Sequence, residues 1–142
     1  MTHPVIEAEL IPPLVGHFRN RGFRVFGEVP FFLRRVDVLC ISALGAEIVA
    51  VEAKMRKWQE ALHQARQCLT CADFVYVALA IQHAHRAPRR PFKELGIGIL
   101  SVDGHVEEVL PARRSPYRCA AHARRIRETA LRHDFLERGD VR

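Results

Sequence analysis

Asp37, Glu52 and Lys54 are the residues of this 142-residue chain whose types and spacing suit joint chemistry. Two carboxylates are the usual oxygen ligands of Mg²⁺, an ion that keeps several waters and needs few protein groups. An ammonium beside such an ion can orient or deprotonate an attacking water, while the ion stabilises charge developing on a phosphate. In Glu52-Ala53-Lys54 the strand period of two puts both charged side chains on one face. Asp37 converges with them if its strand is a neighbour. An arbitrary Glu-x-Lys is most often a solvent-facing pair. Here Ile48-Val49-Ala50-Val51 precedes it, a run of buried-strand type, so Glu52 is expected where the chain leaves the core.

Positioning these groups takes a sheet. Residues 24–30, 35–41 and 47–53 are rich in Val and Ile and read as three strands. Before them, Ile6, Leu10, Ile11, Leu14, Val15 and Phe18 repeat with a helical period that Gly22 ends. Pro12-Pro13 belongs in a first helical turn, so the regular helix is expected from about Pro12, with residues 7–11 as a lead-in. Residues 58–72 read as a second helix and 73–81 as a central strand. Residues 83–91 read as a polar loop, 95–102 as a strand, Asp103-Gly104 as a hairpin turn and 105–110 as its return strand. A basic linker, 111–116, leads to a charged helix over 120–137 whose apolar side includes Ala123, Ile126, Ala130 and Phe135. The expected fold is α/β (α+β): a mixed central sheet flanked by helices, with a C-terminal hairpin and helix added. Residues 1–112 are expected to form the main domain, and 113–142 a basic linker and helix that pack on it or extend it.

Val36-Asp37-Val38-Leu39, then Val51-Glu52-Ala53-Lys54, then a helix bearing Gln64-Ala65 and a strand opening at Ala72-Asp73, together resemble the PD-(D/E)XK nuclease superfamily. The resemblance covers roughly residues 7 to 82 and implies a restriction-endonuclease-like αβββαβ core. Val36 stands at the nominal Pro, a position that varies in the family. The resemblance further implies a metal-dependent endonuclease-type hydrolase that cleaves phosphodiester bonds in DNA. Asp37, Glu52 and the Ala53 carbonyl would hold Mg²⁺, with Mn²⁺ as the substitute, and Lys54 would position or activate water. Family members often add a Glu from the first helix. Glu7 falls on the centre of that helix's apolar face if the helix runs unbroken, whereas Glu9 points away. Gln64, at the edge of the second helix's apolar stripe, matches a polar residue often found near the metal or the scissile phosphate. The alternative is a nucleic-acid-binding or structural module that keeps the fold without cleaving.

The net charge of +6 leans toward the second half, where residues 72–142 carry 13 basic and 9 acidic side chains against 9 and 7 before them. Clusters of basic side chains suit a polyanion, because each neutralised phosphate releases counterions. The expected DNA-contacting set is Arg35, Arg56 and Lys57 with Arg86, Arg89, Arg90, Arg113 and Arg114. Only three of 22 basic residues are Lys, and Lys is the cation whose pKa responds to its surroundings, so Lys54 invites a chemical role.

Cys68-x-x-Cys71 with His83 and His85 has a superficial zinc spacing. The intervening apolar run and the helical placement of Cys68 favour buried structural thiols instead. Trp58 could stack a base, but its spacing with Leu62 and Ala65 favours the core. The longest nearly uncharged apolar run, 74–82, is too short to span a bilayer, and residues 1–9 show no secretory signal. A cytoplasmic protein without a membrane partner is expected. A chain of this size has little room for a recognition domain, so specificity would come from the Arg-rich loops, the terminal helix, a second subunit in a homodimer or a partner protein.

Overall fold

A computed structural model of the chain describes residues 4–133. It opens with a 3₁₀ turn, Glu7–Leu10, closed by the Glu9 carboxylate, which accepts from the backbone N–H groups of Val5 and Ile6. Helix α1, Ile11–Arg19, follows with Pro12 and Pro13 in its first turn, where a missing N–H costs nothing. Three strands come next: β1 (Phe23–Phe31), β2 (Arg34–Ser42) and β3 (Ile48–Lys54). Helix α2 (Trp58–Arg66) crosses to β4 (Phe74–Ala80). Two short helices, α3 (Ile81–Ala84) and α4 (Arg89–Leu95), lead to β5 (Gly98–Val102). The hairpin strand β6 (Val106–Leu110) and helix α5 (Ala120–His133) complete the fold.

The six strands form one mixed sheet in sequence order, β1-β2-β3-β4-β5-β6. The β1–β2, β2–β3 and β5–β6 pairs are antiparallel, while β3–β4 and β4–β5 are parallel. Helices lie on both faces, as the sequence pattern leads one to expect. One core cluster joins α2 and α5 to the sheet through Ala61, Leu62, Ala65, Ala123, Ile126 and Ala130. The other joins α1 to the opposite face through Leu14, Val15 and Phe18. Trp58 is part of the first cluster, its ring 5.9 Å from that of Phe92. Among the described residues no helix is long and apolar enough to cross a membrane.

Three elements depart from the sequence reading. The second helix was expected to reach residue 72 but ends at Arg66, where i→i+3 bonds such as Cys68 N–H to the Ala65 carbonyl tighten the chain into turns. The expected loop over 83–91 is instead occupied by α3 and the start of α4. Ala84, Ala87 and Phe92 are buried there, so tertiary contacts make helices from segments too short to show a period. The strand expected from Leu95 starts at Gly98, because Leu95 ends α4 and Gly96 caps it at φ +73°. Gly98 has no alternative: a Cβ there would lie 2.6 Å from the Tyr76 ring and from the Leu110 carbonyl. For the last helix, the part expected over 134–137, including Phe135, lies outside the described residues.

Strict alternation also breaks in the β1–β2 pair. Phe26, Val29 and Phe31 of β1 all belong to the α2-side cluster, as do Val36, Leu39 and Ile41 of β2. In each strand the inward set therefore slips by one residue, at Glu28 in β1 and at Asp37 in β2. The register places these two opposite each other, between the pairs Gly27–Val38 and Val29–Val36. Glu28 takes a left-handed φ of +54° to make the slip. Asp37 thus sits at a kink, half-buried, one step beyond the Val38–Val51 pair.

Candidate active site

Strand pairing alone brings the first contact. β2 runs antiparallel to β3, so the beginning of β2 meets the end of β3, and the Asp37 carboxylate accepts the Ala53 N–H at 2.8 Å. Asp37 thereby lies against the Glu52-Ala53 peptide from the neighbouring strand. Glu52 itself departs from expectation. It is 1% exposed rather than placed where the chain leaves the core, because the strand stays covered until Lys54.

Around Glu52 the partners are few. The Arg34 guanidinium is 3.5 Å from Oε1, an ion-pair distance without a directed hydrogen bond, and among the described residues that oxygen has no hydrogen-bond partner. The Cys68 thiol lies 3.9 Å from Oε2. Burial pushes the Glu52 carboxyl up to about 8, the neighbouring Asp37 adds to the rise, and Arg34 opposes it. A carboxylate so desolvated is costly to ionise unless a cation completes its surroundings.

Lys54 emerges at the strand end and is held by two acids. Its ammonium is 2.9 Å from Glu60 Oε1 and 3.9 Å from Glu7 Oε1. The hydrogen bond it donates to Glu60 is the main cause that lifts its pKa above the ordinary lysine value, with Glu7 and Asp37 adding to it. Lys54 is therefore a stable cation, suited to holding and polarising a water or a phosphate oxygen rather than to removing a proton.

Glu7 was expected on the centre of an unbroken helix's apolar face. The regular helix starts only at Ile11, with Pro12-Pro13 in its first turn, and Glu7 instead opens the preceding 3₁₀ turn with a half-exposed side chain that reaches Lys54. Gln64 takes part through its backbone: its carbonyl accepts from Arg34 at 3.1 Å, while its side chain is half-buried. Two residues of this constellation escaped the sequence reading, Arg34 and Glu60, and Cys68 was read only as a buried structural thiol. Glu60 carried one usable signal, an acid in the first turn of the helix that follows the Glu-x-Lys strand.

The expected DNA-contacting residues divide in two. Arg35, Arg56 and Lys57 are exposed beside the motif residues, and Arg86, Arg89 and Arg90 are exposed on the connection that leaves the same end of β4. Arg113 and Arg114 are elsewhere. Arg113 donates to the Lys93 carbonyl. Arg114 pairs with Glu47 and Asp73, both at 3.1 Å, and stacks on Phe74 at the opposite end of the strands. Those two side chains fasten the linker to α4 and to the start of β4, and do not join the site.

For a divalent ion, the donors present are Asp37, Glu52 and the Ala53 carbonyl. Among the described residues no three His, Cys, Asp or Glu side chains converge on one point. Two carboxylates with a carbonyl and waters match the demands of Mg²⁺. The buried Glu52 oxygen without a hydrogen bond is a second reason that the donor set fits a cation. Cys68 and Cys71 are buried free thiols of the α2-side core.

No family model matches the chain, and no curated protein matches it. Solved structures do. A protein of unknown function from Silicibacter pomeroyi, SPO1766, superposes with a TM-score of 0.74 at 21% identity, over 92% of this chain and 87% of that one. A repair endonuclease from Pyrococcus abyssi superposes with a TM-score of 0.53 at 18% identity, over 70% of this chain and 48% of that one. The fold is restriction-endonuclease-like. SfsA from Pyrococcus furiosus, solved in complex with Ca²⁺, matches more loosely, with a TM-score of 0.36 at 13% identity over 75% of this chain and 59% of that one. At these identities the likeness extends to architecture and no further.

Proposed function

We propose that the protein is a divalent-metal-dependent nuclease of PD-(D/E)XK type that hydrolyses phosphodiester bonds in DNA. The observation that carries this reading is the juxtaposition of Asp37, bonded to the Ala53 N–H, with a buried Glu52 whose Oε1 lacks a hydrogen bond. Asp37, Glu52 and the Ala53 carbonyl hold the Mg²⁺, or Mn²⁺ in its place. Bound there, the ion supplies Lewis-acid stabilisation of charge on the phosphate and lowers the pKa of its waters.

The chain's own residues do the rest. Lys54, kept protonated by Glu60 and Glu7, directs its ammonium at the attacking water or a non-bridging phosphate oxygen and stabilises the charge that grows there. Glu60 and Glu7 are positioning residues: they hold Nζ in place and keep it charged. Arg35, Arg56 and Lys57, exposed around the strand ends, contact the flanking backbone phosphates. A homodimer would supply the second active site that a double-strand cut requires.

Arg34 favours a second reading. Its guanidinium, 3.5 Å from Glu52, resembles the structural neutralisation of a buried acid, as in a binding module that does not cleave. Cleavage assays on plasmid, branched and single-stranded DNA with Mg²⁺ or Mn²⁺ separate the two. Hydrolysis that disappears in a folded Lys54→Ala protein supports the nuclease. Binding without hydrolysis on every substrate supports the module.

A further inference from the structure

The turn between β1 and β2 is built in an unusual way. Its two central residues are Phe32 and Leu33, and Phe32 has φ +57°. Two-residue hairpin turns favour Gly, Asn or Asp where φ is positive, and a bulky residue there carries a steric cost. Phe32 is nevertheless 54% exposed and Leu33 102% exposed, so neither repays that cost by burial in the core. A strained, exposed aromatic at a hairpin tip indicates a surface that contacts something else.

The surroundings narrow what that is. The Arg125 guanidinium of α5 lies over the Phe32 ring, 4.3 Å from its centroid, and the His122 ring meets it edge-on at 5.1 Å. Phe32 and His122 stand between two clefts. One, of about 290 Å³, is lined by Leu33, Arg34, Gln67 and Thr70. The other, of about 420 Å³, runs along α5 past Arg124, Arg125, Thr129 and Arg132, with Glu128 as its acid. Arg34 links the first cleft to the candidate site, since the same guanidinium touches Glu52. A cationic path therefore runs from Glu52 through Arg34, across an exposed aromatic, to an Arg-rich helix face.

We propose that this path binds an unpaired DNA strand, with one base stacked at Phe32 and the flanking phosphates held by Arg124, Arg125 and Arg132. The stated chemistry needs both parts: aromatic platforms take the faces of unpaired bases without regard to sequence, and cationic side chains follow the backbone. A duplex keeps its base faces covered and offers Phe32 nothing to stack on. The proposal rests on the nuclease reading for its partner, but it concerns binding and not hydrolysis.

Binding is measured by fluorescence anisotropy with a labelled oligothymidine and with a blunt duplex of equal length, in EDTA. Phe32→Gly removes the ring and relieves the turn, so its melting temperature should not fall, while affinity for the single strand should drop about tenfold. Phe32→Trp should keep that affinity. Arg125→Ala should lower the salt slope of single-strand binding by about 0.7 and tests the same path without altering the turn. Unchanged single-strand affinity in Phe32→Gly or Arg125→Ala, or tighter binding of the duplex by the native protein, would overturn the proposal. A native protein that binds the single strand through Phe32 but hydrolyses nothing sinks the nuclease reading and leaves the strand path standing. Hydrolysis that persists while both variants bind as the native protein does has the opposite meaning.

Discussion

Glu52 concentrates the consequences of the site, because its carboxyl is buried, lies beside Asp37 and is pushed up to about 8. Its folded-state pKa stands above the ordinary value of about 4.3. The associated stability is therefore fully present below the unfolded pKa and is lost as the pH rises through about 8. In EDTA the native protein should lose stability relative to Glu52→Gln over that window, by an amount on the order of a few kcal/mol. Mg²⁺ should restore the native protein alone, since Gln offers no charge. Thermal melts of both proteins across pH, with and without Mg²⁺, test this; parallel curves would exclude Glu52 as the cation's ligand. Lys54 gives a second prediction. Lys54→Ala should fold normally, because the side chain lies at a strand end, yet cleave at least about 100-fold more slowly. Glu60→Gln should weaken cleavage less and shift its pH profile on the alkaline side to lower pH, since the hydrogen bond that Lys54 donates to Glu60 keeps it charged. An unshifted profile would show that Lys54 does not act as the charged group.

At the level of elements, the two ends of the sheet have separate duties. Asp73 precedes β4 away from the site, accepts from the Ile48 N–H and Arg114, and forms an ion pair with Arg118 at 3.1 Å, which ties strand, linker and helix approach together. Asp73→Ala should cost about 2 kcal/mol or more in urea unfolding. Arg114→Ala should lower stability mildly and leave DNA affinity unchanged. A marked loss of affinity would return Arg114 to the DNA-contacting set. The kink at Glu28 gives another expectation: Glu28→Gly suits the left-handed φ of +54° and should raise stability by about 1 kcal/mol, read as a higher denaturant midpoint. The strands were legible because runs such as Ile48-Val49-Ala50-Val51 are buried on both faces and need no partner to be recognised. The kink was not legible, since its cause is the simultaneous slip of β1 and β2. Nor were α3 and α4, whose few buried residues act through contacts with the sheet.

Over the whole molecule, local signals predicted the arrangement of the sheet better than that of the charges. Asp37, Glu52 and Lys54 stood out because strand spacing constrains where their side chains point. Arg34 and Glu60 did not, because they reach the site only through antiparallel register and the placement of α2. The basic clusters also looked alike in sequence, although Arg113 and Arg114 are engaged in internal contacts while Arg35, Arg56 and Lys57 remain exposed. DNA affinity should therefore fall with rising salt, and Arg35, Arg56 and Lys57 substitutions should each reduce the slope by about one on duplex DNA. Titrations at several salt concentrations would detect a protein indifferent to ionic strength, which would contradict the phosphate contacts.

Helix α5 closes the core over β1, the first strand, with Ala123, Ile126 and Ala130 set in the same cluster as Val29 and Phe31. During translation, β1 must wait until roughly a hundred further residues have left the ribosome before that flank is covered. A nascent chain holding every motif residue would still present raw hydrophobic surface, so messages cut short before α5 should yield insoluble fragments and not small working enzymes.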